Sequence, residues 1–155
     1  MSYNPHDHYF KKAKQENYLA RSVYKLKEIN DRFKLIKPGM NILDLGASPG
    51  SWSQYASEQV GTQGKVIGID LTPIDLQLYN TVFLTADINA PDTLSRIEAE
   101  GIRQFQMVIS DMAPKTTGVK VTDQARSFQL CEMALFTARK YLTEGGHFVC
   151  KLFHG

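Results

Sequence analysis

The sequence predicts an α/β fold in which helices cover both faces of a parallel sheet. Two observations lead to this prediction. Strand-like apolar runs alternate with helical patterns after Pro38-Gly39, which is typical of parallel sheets. A glycine turn within 41–56 also joins the first of these strands directly to a helix. Right-handed crossovers then favour the strand order 3-2-1-4-5, with a ligand crevice at the carboxyl end of strand 1.

Periodicity places the individual elements along the chain. An amphipathic helix is predicted over 17–33 because apolar residues recur there every three or four positions. These residues are Leu19, Val23, Leu26, Ile29 and Phe33. The predicted strands are 41–46, 65–71, 82–87, 105–111 and 147–153, and the helices between them are 49–59, 92–100 and 123–142. The last helix is expected to end at Gly145-Gly146 and to have an apolar side formed by Ala125, Phe128, Leu135 and Leu142.

The turn between the first strand and its helix, NILDLGASPGSWSQYA, is the most informative segment. Ser48 is a good N-cap and Pro49 suits the first helical position, so a helix is expected to begin there. Such a turn lets backbone N–H groups and a helix N-terminus face a bound nucleoside. The segment lacks the middle glycine of the dinucleotide pattern, which favours a ligand without a pyrophosphate, such as S-adenosylmethionine. An ordinary strand–helix turn is the alternative.

Length and composition predict one globular domain. The chain has 155 residues, of which 43% are hydrophobic and 22% charged, enough to bury a core. We see neither a signal peptide in the first twenty residues nor an apolar run that spans a bilayer, so no membrane partner is expected. Cys131 and Cys150 form no C-x-x-C pair, so we expect reduced core cysteines in a cytoplasmic protein.

The net charge of +2 is unevenly distributed along the chain. Residues 1–40 contain nine Lys/Arg against four Asp/Glu, a net of +5, and the remaining 115 contain nine against twelve, a net of −3. Arg21, Lys25 and Arg32 are spaced so that they share one helix stripe. This pattern favours a polyanion that docks beside a separate small-molecule site. A solubilising basic arm with a solvated charged face is the alternative.

Charged residues also stand at the ends of the predicted strands. Asp70 ends strand 2, 24 residues after Gly46, near the offset of about 20 at which an acid binds ribose hydroxyls. Asp87 and Asp111 end strands 3 and 4, so all three carboxylates should open into one crevice, although capping of local turns is the alternative. Lys151 lies inside the apolar run of strand 5, where a desolvated lysine normally has a carboxylate partner.

With these residues in view, the chain resembles the FtsJ family of ribose 2′-O-methyltransferases. The matching segments occur in the family's order from about residue 14 to the last residue. They are RSVYKLKEI, KPGMNILDLGASPGSWSQY, GIDLTP, the aspartate after VFLTA, SDMAPKTTG and VCKLFHG. The resemblance implies a class I methyltransferase fold of the Rossmann-like type. It also implies S-adenosylmethionine as the methyl donor, with no metal.

The same resemblance implies roles for individual residues. Lys25, Asp111 and Lys151 correspond to three members of a catalytic K-D-K-E set that acts on ribose hydroxyls of RNA. Together with the glycine turn, the implied cofactor positions are Gly46, Gly50, Trp52, Asp70, Asp87 and Asp111. Lys151 is the expected general base, oriented by Asp111, while Lys25 tunes it or holds a phosphate. The alternative is a charged Lys151 that only positions the hydroxyl.

A uridine of large-subunit ribosomal RNA, free or in the assembled subunit, is the expected substrate, and tRNA is the next choice. The chain departs from the family at Gly155, after which the family continues with a helix, two strands and the glutamate of the catalytic set. We therefore expect a flexible tail at 1–13 and a methyltransferase domain at 14–155 that is incomplete at its C-terminus. The uncovered sheet edge favours self-association.

Two other functions compete with this interpretation. The first is a non-catalytic fragment that binds cofactor or RNA, because the catalytic glutamate has no counterpart in the chain. The second is a methyltransferase for a small molecule or a protein. That second function requires neither the basic N-terminal segment nor a lysine inside strand 5.

Overall fold

The computed structural model describes residues 18–112 and 117–152. The expected tail at 1–13 lies outside the described residues, as does the end of predicted strand 5. The secondary-structure elements follow the predicted alternation. They are α1 (Val23–Phe33), β1 (Asn41–Leu45), α2 (Ser51–Val60), a short 3-10 helix (Gly61–Gln63), β2 (Lys65–Asp70), β3 (Thr81–Thr85), α3 (Thr93–Glu98), β4 (Phe105–Ser110), α4 (Lys120–Tyr141) and β5 (Leu142–Cys150).

The strands form one five-stranded sheet in the order β3-β2-β1-β4-β5. Every neighbouring pair in this sheet is parallel, so the predicted order 3-2-1-4-5 is confirmed. The strand order reverses at β1, because β2 and β3 are added on one side of it and the chain then crosses to the other side to form β4 and β5. In such a sheet the crevice for a ligand opens beyond the carboxyl ends of β1 and its neighbours.

Side chains of β1 alternate between two apolar layers, one on each face of the sheet. Ile42 packs with Leu26 of α1 and Trp52 of α2 in one layer. Leu43 and Leu45 point to the other face, which is covered by α3 and α4. Both layers are buried, which explains why β1, β2 and β4 appear in the sequence as nearly continuous apolar runs.

The first helix is shorter than predicted. It begins at Val23 rather than near residue 17, and Leu19 precedes it as half-exposed coil. Phe33, at the end of the predicted apolar stripe, is 59% exposed. Only the middle of the stripe, Val23 and Leu26, packs against the sheet.

The last helix has a different buried side from the one predicted. Phe128 and Leu135, expected on the apolar side, are exposed, and the side facing the sheet instead carries the small residues Ala134 and Ala138. The helix begins at Lys120, because Asp123 accepts hydrogen bonds of 2.8 Å from both the backbone N–H and the hydroxyl of Thr117. These two bonds also lower the pKa of Asp123.

The predicted helix stop at Gly145-Gly146 is also wrong. The helix ends at Tyr141, the strand β5 begins at the next residue, and both glycines lie inside that strand. Gly145 has a φ of +79°, which a glycine adopts without strain and which accompanies the irregular pairing of β5 with β4. None of the helices in the described part of the chain is long and apolar enough to cross a membrane.

Candidate functional site

A cavity of about 520 Å³ opens at the carboxyl ends of the strands, where the topology predicts the ligand crevice. Its volume lies within the range of small-molecule sites, about 300 to 1,000 Å³. Loops after four strands and one face of α4 form its walls. The lining residues are Gly46, Ser48, Ile69, Asp70, Leu71, Ala86, Asp87, Ile88, Asn89, Asp111, Met112, Leu130 and Met133. The predicted carboxylates Asp70, Asp87 and Asp111 therefore do share one crevice.

The glycine turn packs closely against the loop after β4. Gly46 has a φ of +73°, and a Cβ atom built there would lie 2.1 Å from Cγ of Met112. Glycine is required for both reasons, since other residues rarely adopt this conformation and have no room here. The Gly46 and Ala47 amides donate to the Ile69 carbonyl, at 2.8 and 2.9 Å. The first N–H groups of the turn thus fix it to β2 instead of facing the crevice.

The helix after this turn begins later than predicted. Ser51 is its first residue, and Gly50, with a φ of +118°, occupies the N-cap position that was expected for Ser48. The amide of Ser48 instead donates to Oδ2 of Asp70 at 2.9 Å. The helix N-terminus is therefore set two residues further from β1, and the intervening loop is tied to Asp70.

Asp70 and Asp87 are both held in place by local backbone groups. Asp70 accepts from the Ser48 amide and, at 2.8 Å through Oδ1, from the Thr72 amide. Asp87 accepts from the amide of Asn89 at 2.9 Å. A carboxylate has about four lone-pair sites, so each retains acceptor capacity for a ligand hydroxyl. The turn-capping alternative and the ligand-binding prediction are therefore compatible at these two positions.

Asp111, which lines the crevice, forms an ion pair with Lys151. The ammonium nitrogen of Lys151 lies 3.4 Å from Oδ1 of Asp111. That oxygen is buried and has no hydrogen bond within the described residues, so the lysine is its partner through charge rather than through a close hydrogen bond. The predicted carboxylate partner of Lys151 is thus present.

The predicted burial of Lys151, however, is wrong. The strand β5 ends at Cys150, Lys151 follows it, and the lysine side chain is 48% exposed. Its backbone amide donates to the Ser110 carbonyl at 3.0 Å, which directs the chain across the end of β4. Because Lys151 follows β5 instead of lying within it, the side chain is not desolvated as it would be inside a central strand.

Lys25 lies on α1. Its side chain is exposed, as are those of Arg21 and Arg32. Among the described residues, no ion pair joins Lys25 to Asp111 or Lys151. The structure therefore brings two members of the predicted catalytic set together and leaves the third on an exposed helix surface.

Asp44 is a buried carboxyl group, close enough to Asp111 and Asp70 to interact with their charges, that the sequence pattern did not single out. It lies in the middle of β1, is completely buried, and accepts a 2.7 Å hydrogen bond from the Ser53 hydroxyl of α2. Its other oxygen has no partner within the described residues. Burial, helped by the negative charges of Asp111 and Asp70, raises the pKa of Asp44 to about 7. An aspartate between two leucines of a buried strand was the available signal.

The cavity residues fit S-adenosylmethionine by their chemistry. Apolar side chains that suit a purine base line one part of the wall, and they are Leu71, Ile88, Met112, Leu130 and Met133. Carboxylates at three strand ends suit ribose hydroxyls and positive charge. Asp111 adds a third carboxylate to the lining, and its Oδ1 accepts no hydrogen bond within the described residues. Within the described residues, no group of three potential metal ligands is found.

Comparisons with known proteins agree on one family. The FtsJ-like methyltransferase family model matches residues 18–155. The chain is 58% identical over 155 residues to the ribosomal RNA large subunit methyltransferase E of Bdellovibrio bacteriovorus, covering 99% of this chain and 79% of that protein. It is 52% identical over 156 residues to the protein of the same name from Syntrophobacter fumaroxidans, again covering 79% of the relative.

Solved structures show the same fold. A ribosomal RNA methyltransferase, putative, from Plasmodium falciparum superposes with a TM-score of 0.79 at 27% identity, covering 89% of this chain and 80% of that one. Aeropyrum pernix fibrillarin, solved with S-adenosylmethionine bound, superposes with a TM-score of 0.55 at 19% identity, covering 75% and 46%. The second likeness concerns the fold alone.

Proposed function

Because the chain belongs to the FtsJ-like methyltransferase family, we propose that it transfers a methyl group from S-adenosylmethionine to a ribose 2′-hydroxyl of RNA. The observation that carries this proposal is the pair of Asp111 and Lys151. A carboxylate that lines a cavity whose walls fit the donor lies 3.4 Å from an amine. A ribose hydroxyl needs a base beside it, and this pair supplies one.

The residues that would hold the donor come from the ends of β1, β2, β3 and β4. Gly46 and Gly50 shape the turn that would face the donor. Asp70 and Asp87 would accept hydrogen bonds from hydroxyl or amino groups of S-adenosylmethionine, and Asp111 would face its positive charge. S-adenosylmethionine, when bound, supplies a methyl group on a sulfonium that is already a good leaving group. The protein must then align the hydroxyl and remove its proton, and no metal is needed for either task.

We assign the proton transfer to Lys151. A free lysine amine has a pKa near 10.4, so about one in a thousand is neutral near pH 7.4, a handicap of roughly 4 kcal/mol. Because Lys151 is half-exposed in the free protein, its desolvation depends on bound RNA covering it. Burial under RNA and the approach of the Lys25 cation both favour the neutral amine, while Asp111 fixes its direction.

A charged Lys151 that only positions the hydroxyl is the alternative mechanism. The two mechanisms differ in their pH dependence. A base that must lose a proton gives a single-turnover rate that rises with pH between about 6 and 9, whereas a positioning cation gives no rise over that interval.

We propose that the substrate is a uridine of large-subunit ribosomal RNA in the cytoplasm. Two observations support this substrate: the names of the relatives, and an exposed basic surface on and before α1 formed by Arg21, Lys25 and Arg32. Transfer RNA remains the second candidate. A chain that binds cofactor or RNA without turnover is the third.

Radiolabelled methyl transfer from S-adenosylmethionine tests the proposal. The 155-residue chain is incubated with undermethylated large ribosomal subunits and, separately, with tRNA. We expect label in the ribosomal RNA only. Label only in tRNA would show that tRNA, and not ribosomal RNA, is the substrate. Label in neither RNA, with S-adenosylmethionine binding still measured by calorimetry, would show a binding protein instead of an enzyme. The control for a Lys151→Ala variant is Lys37→Ala, which removes a lysine outside the crevice, on the loop before β1.

A further inference from the structure

Trp52, expected to contact the cofactor, has its polar group turned toward α1. The side chain is buried, with 3% exposed, in the apolar layer between α1, α2 and the sheet. Its indole N–H donates a 3.1 Å hydrogen bond to the carbonyl oxygen of Ser22. The indole N–H is therefore already used within the protein and is not free for a ligand.

The Ser22 carbonyl receives a second hydrogen bond at the same place. The backbone amide of Lys25 donates to it at 3.2 Å, closing the first turn of α1. Trp52 and Lys25 thus share one acceptor atom. The indole is linked through a single carbonyl to the backbone of the lysine that the proposed function places at the RNA.

At the start of α1, Val23 and Tyr24 pack in the apolar layer and the Tyr24 amide donates to the Arg21 carbonyl at 3.1 Å, but no side chain caps the helix. Ser22, at the N-cap, makes no side-chain capping bond, and the first turn contains no acidic residue. A helix end of this kind frays unless outside groups hold it. The preceding residues are instead docked on α2, through a 3.0 Å bond from the Leu19 amide to Gln54 and a 2.7 Å bond from the Tyr18 hydroxyl to Glu58.

Trp52 also lines a small pocket that shares Gly46, Ser48 and Asp111 with the main cavity. The same residue is therefore part of the pocket that contains Asp111 and is bonded to the turn that begins the helix of Lys25.

We propose that Trp52 is a positioning residue, which fixes Lys25 relative to Asp111 and Lys151 by holding the Ser22 carbonyl, and that its indole N–H does not contact the donor. This inference rests on the proposed function, in which Lys25 acts on the RNA. The indole N–H is the required group, since the ring alone packs without fixing the first turn.

Trp52→Phe removes the N–H and keeps an aromatic ring in the layer. We expect the single-turnover rate at saturating donor and RNA to fall about three- to tenfold, the equivalent of one hydrogen bond. The dissociation constant for S-adenosylmethionine, measured by calorimetry, should stay within about twofold of the wild-type value. The matched control is Tyr55→Phe, which removes the 3.0 Å bond between Asn30 and Tyr55 on the same pair of helices without touching Ser22. This control should leave the rate unchanged.

A double-mutant cycle separates positioning from general destabilisation. In a Lys25→Ala background, Trp52→Phe should cause no further loss of rate, because the group that it positions is gone. The full three- to tenfold loss in that background would overturn the proposal. Weakened donor binding with an unchanged rate at saturation would also overturn it, and would restore Trp52 as a cofactor contact.

Amide hydrogen exchange provides a readout that does not depend on turnover. Trp52→Phe should speed exchange in peptides covering residues 21–26, while Tyr55→Phe should not. If the wild-type chain transfers no methyl group, the proposed function fails while this exchange difference still tests the positioning by Trp52. Equal exchange in the two variants would overturn the inference.

Discussion

Asp44 is a carboxyl group buried completely within the central strand, with one oxygen bound by Ser53 and the other unpartnered in the described part of the chain. Its pKa rises from 3.8 to about 7 on folding. The folded state therefore keeps a proton that the unfolded state has already lost between these pH values. The contribution of protonated Asp44 to the free energy of unfolding is therefore lost as pH rises from about 4 to 7, and the loss is at most about 4 kcal/mol.

Asp44→Asn removes this titration and keeps the side chain's shape. We expect the free energy of unfolding of the variant, relative to wild type, to increase by up to about 4 kcal/mol between pH 4 and pH 8. The amide leaves a buried donor in place of the unpartnered oxygen, which costs about 1–3 kcal/mol at every pH. Urea unfolding at a series of pH values measures the difference. Parallel pH profiles for the two proteins would show that Asp44 does not titrate in this interval.

At the level of residues, the sequence allowed the convergence of the strand-end charges to be predicted. Asp70, Asp87 and Asp111 line one crevice because parallel strands end on the same side of a sheet, and Lys151 pairs with Asp111. The exposure of Lys151 was not predictable in this way. It depends on β5 ending at Cys150, which a local apolar run does not reveal.

At the scale of elements, the glycine turn has the strictest local requirement. Gly46→Ala and Gly101→Ala both place a side chain at a positive φ, +73° and +82° respectively. A Cβ at Gly46 would overlap Met112, whereas a Cβ at Gly101 meets nothing within 4 Å. Gly101→Ala thus measures the conformational cost alone, about 1 kcal/mol.

We expect Gly46→Ala to lower the free energy of unfolding by roughly 2–4 kcal/mol, because overpacking adds about 1–3 kcal/mol to the conformational cost. It should also weaken S-adenosylmethionine binding, since the turn must shift away from Met112. Urea unfolding and calorimetry measure the two effects. Equal losses of stability for the two glycine variants would mean that Met112 simply moves aside.

Elements differed in how well periodicity predicted them. Both ends of each central strand, β1, β2 and β4, were predicted to within one residue, because burial on both faces leaves a continuous apolar run. The apolar side of α4 was misassigned, because large apolar residues occur on its exposed face while alanines face the sheet. Residue size, which decides how closely a helix approaches a sheet, was the information that hydrophobic spacing omitted.

At the scale of the whole molecule, β5 pairs on one side only among the described strands, with β4. The neighbouring helix α4 exposes Phe128, Leu135 and Phe136, at 57%, 46% and 64%. An open strand edge beside exposed apolar side chains favours pairing with a second chain. We therefore expect concentration-dependent association of the 155-residue chain in sedimentation velocity experiments.

The double variant Phe128→Glu and Phe136→Glu should weaken this association by adding like charges to the exposed face of α4. Phe33→Glu is the matched control, because Phe33 is similarly exposed, at 59%, but lies on α1 and not on α4. A chain that stays monomeric throughout the micromolar range, or an equal effect of both changes, would contradict association through this surface.

The most direct test of the central claim, that Asp111 and Lys151 serve ribose 2′-O-methylation, is the alkali resistance of the labelled RNA. A methylated 2′-oxygen cannot attack the adjoining phosphate, so alkali leaves the label in dinucleotides, whereas base methylation leaves it in mononucleotides. We predict labelled dinucleotides from ribosomal RNA treated with the wild-type chain, and a loss of about a hundredfold or more in their rate of formation with Lys151→Ala. Labelled mononucleotides, or a near-normal rate with Lys151→Ala, would contradict the account.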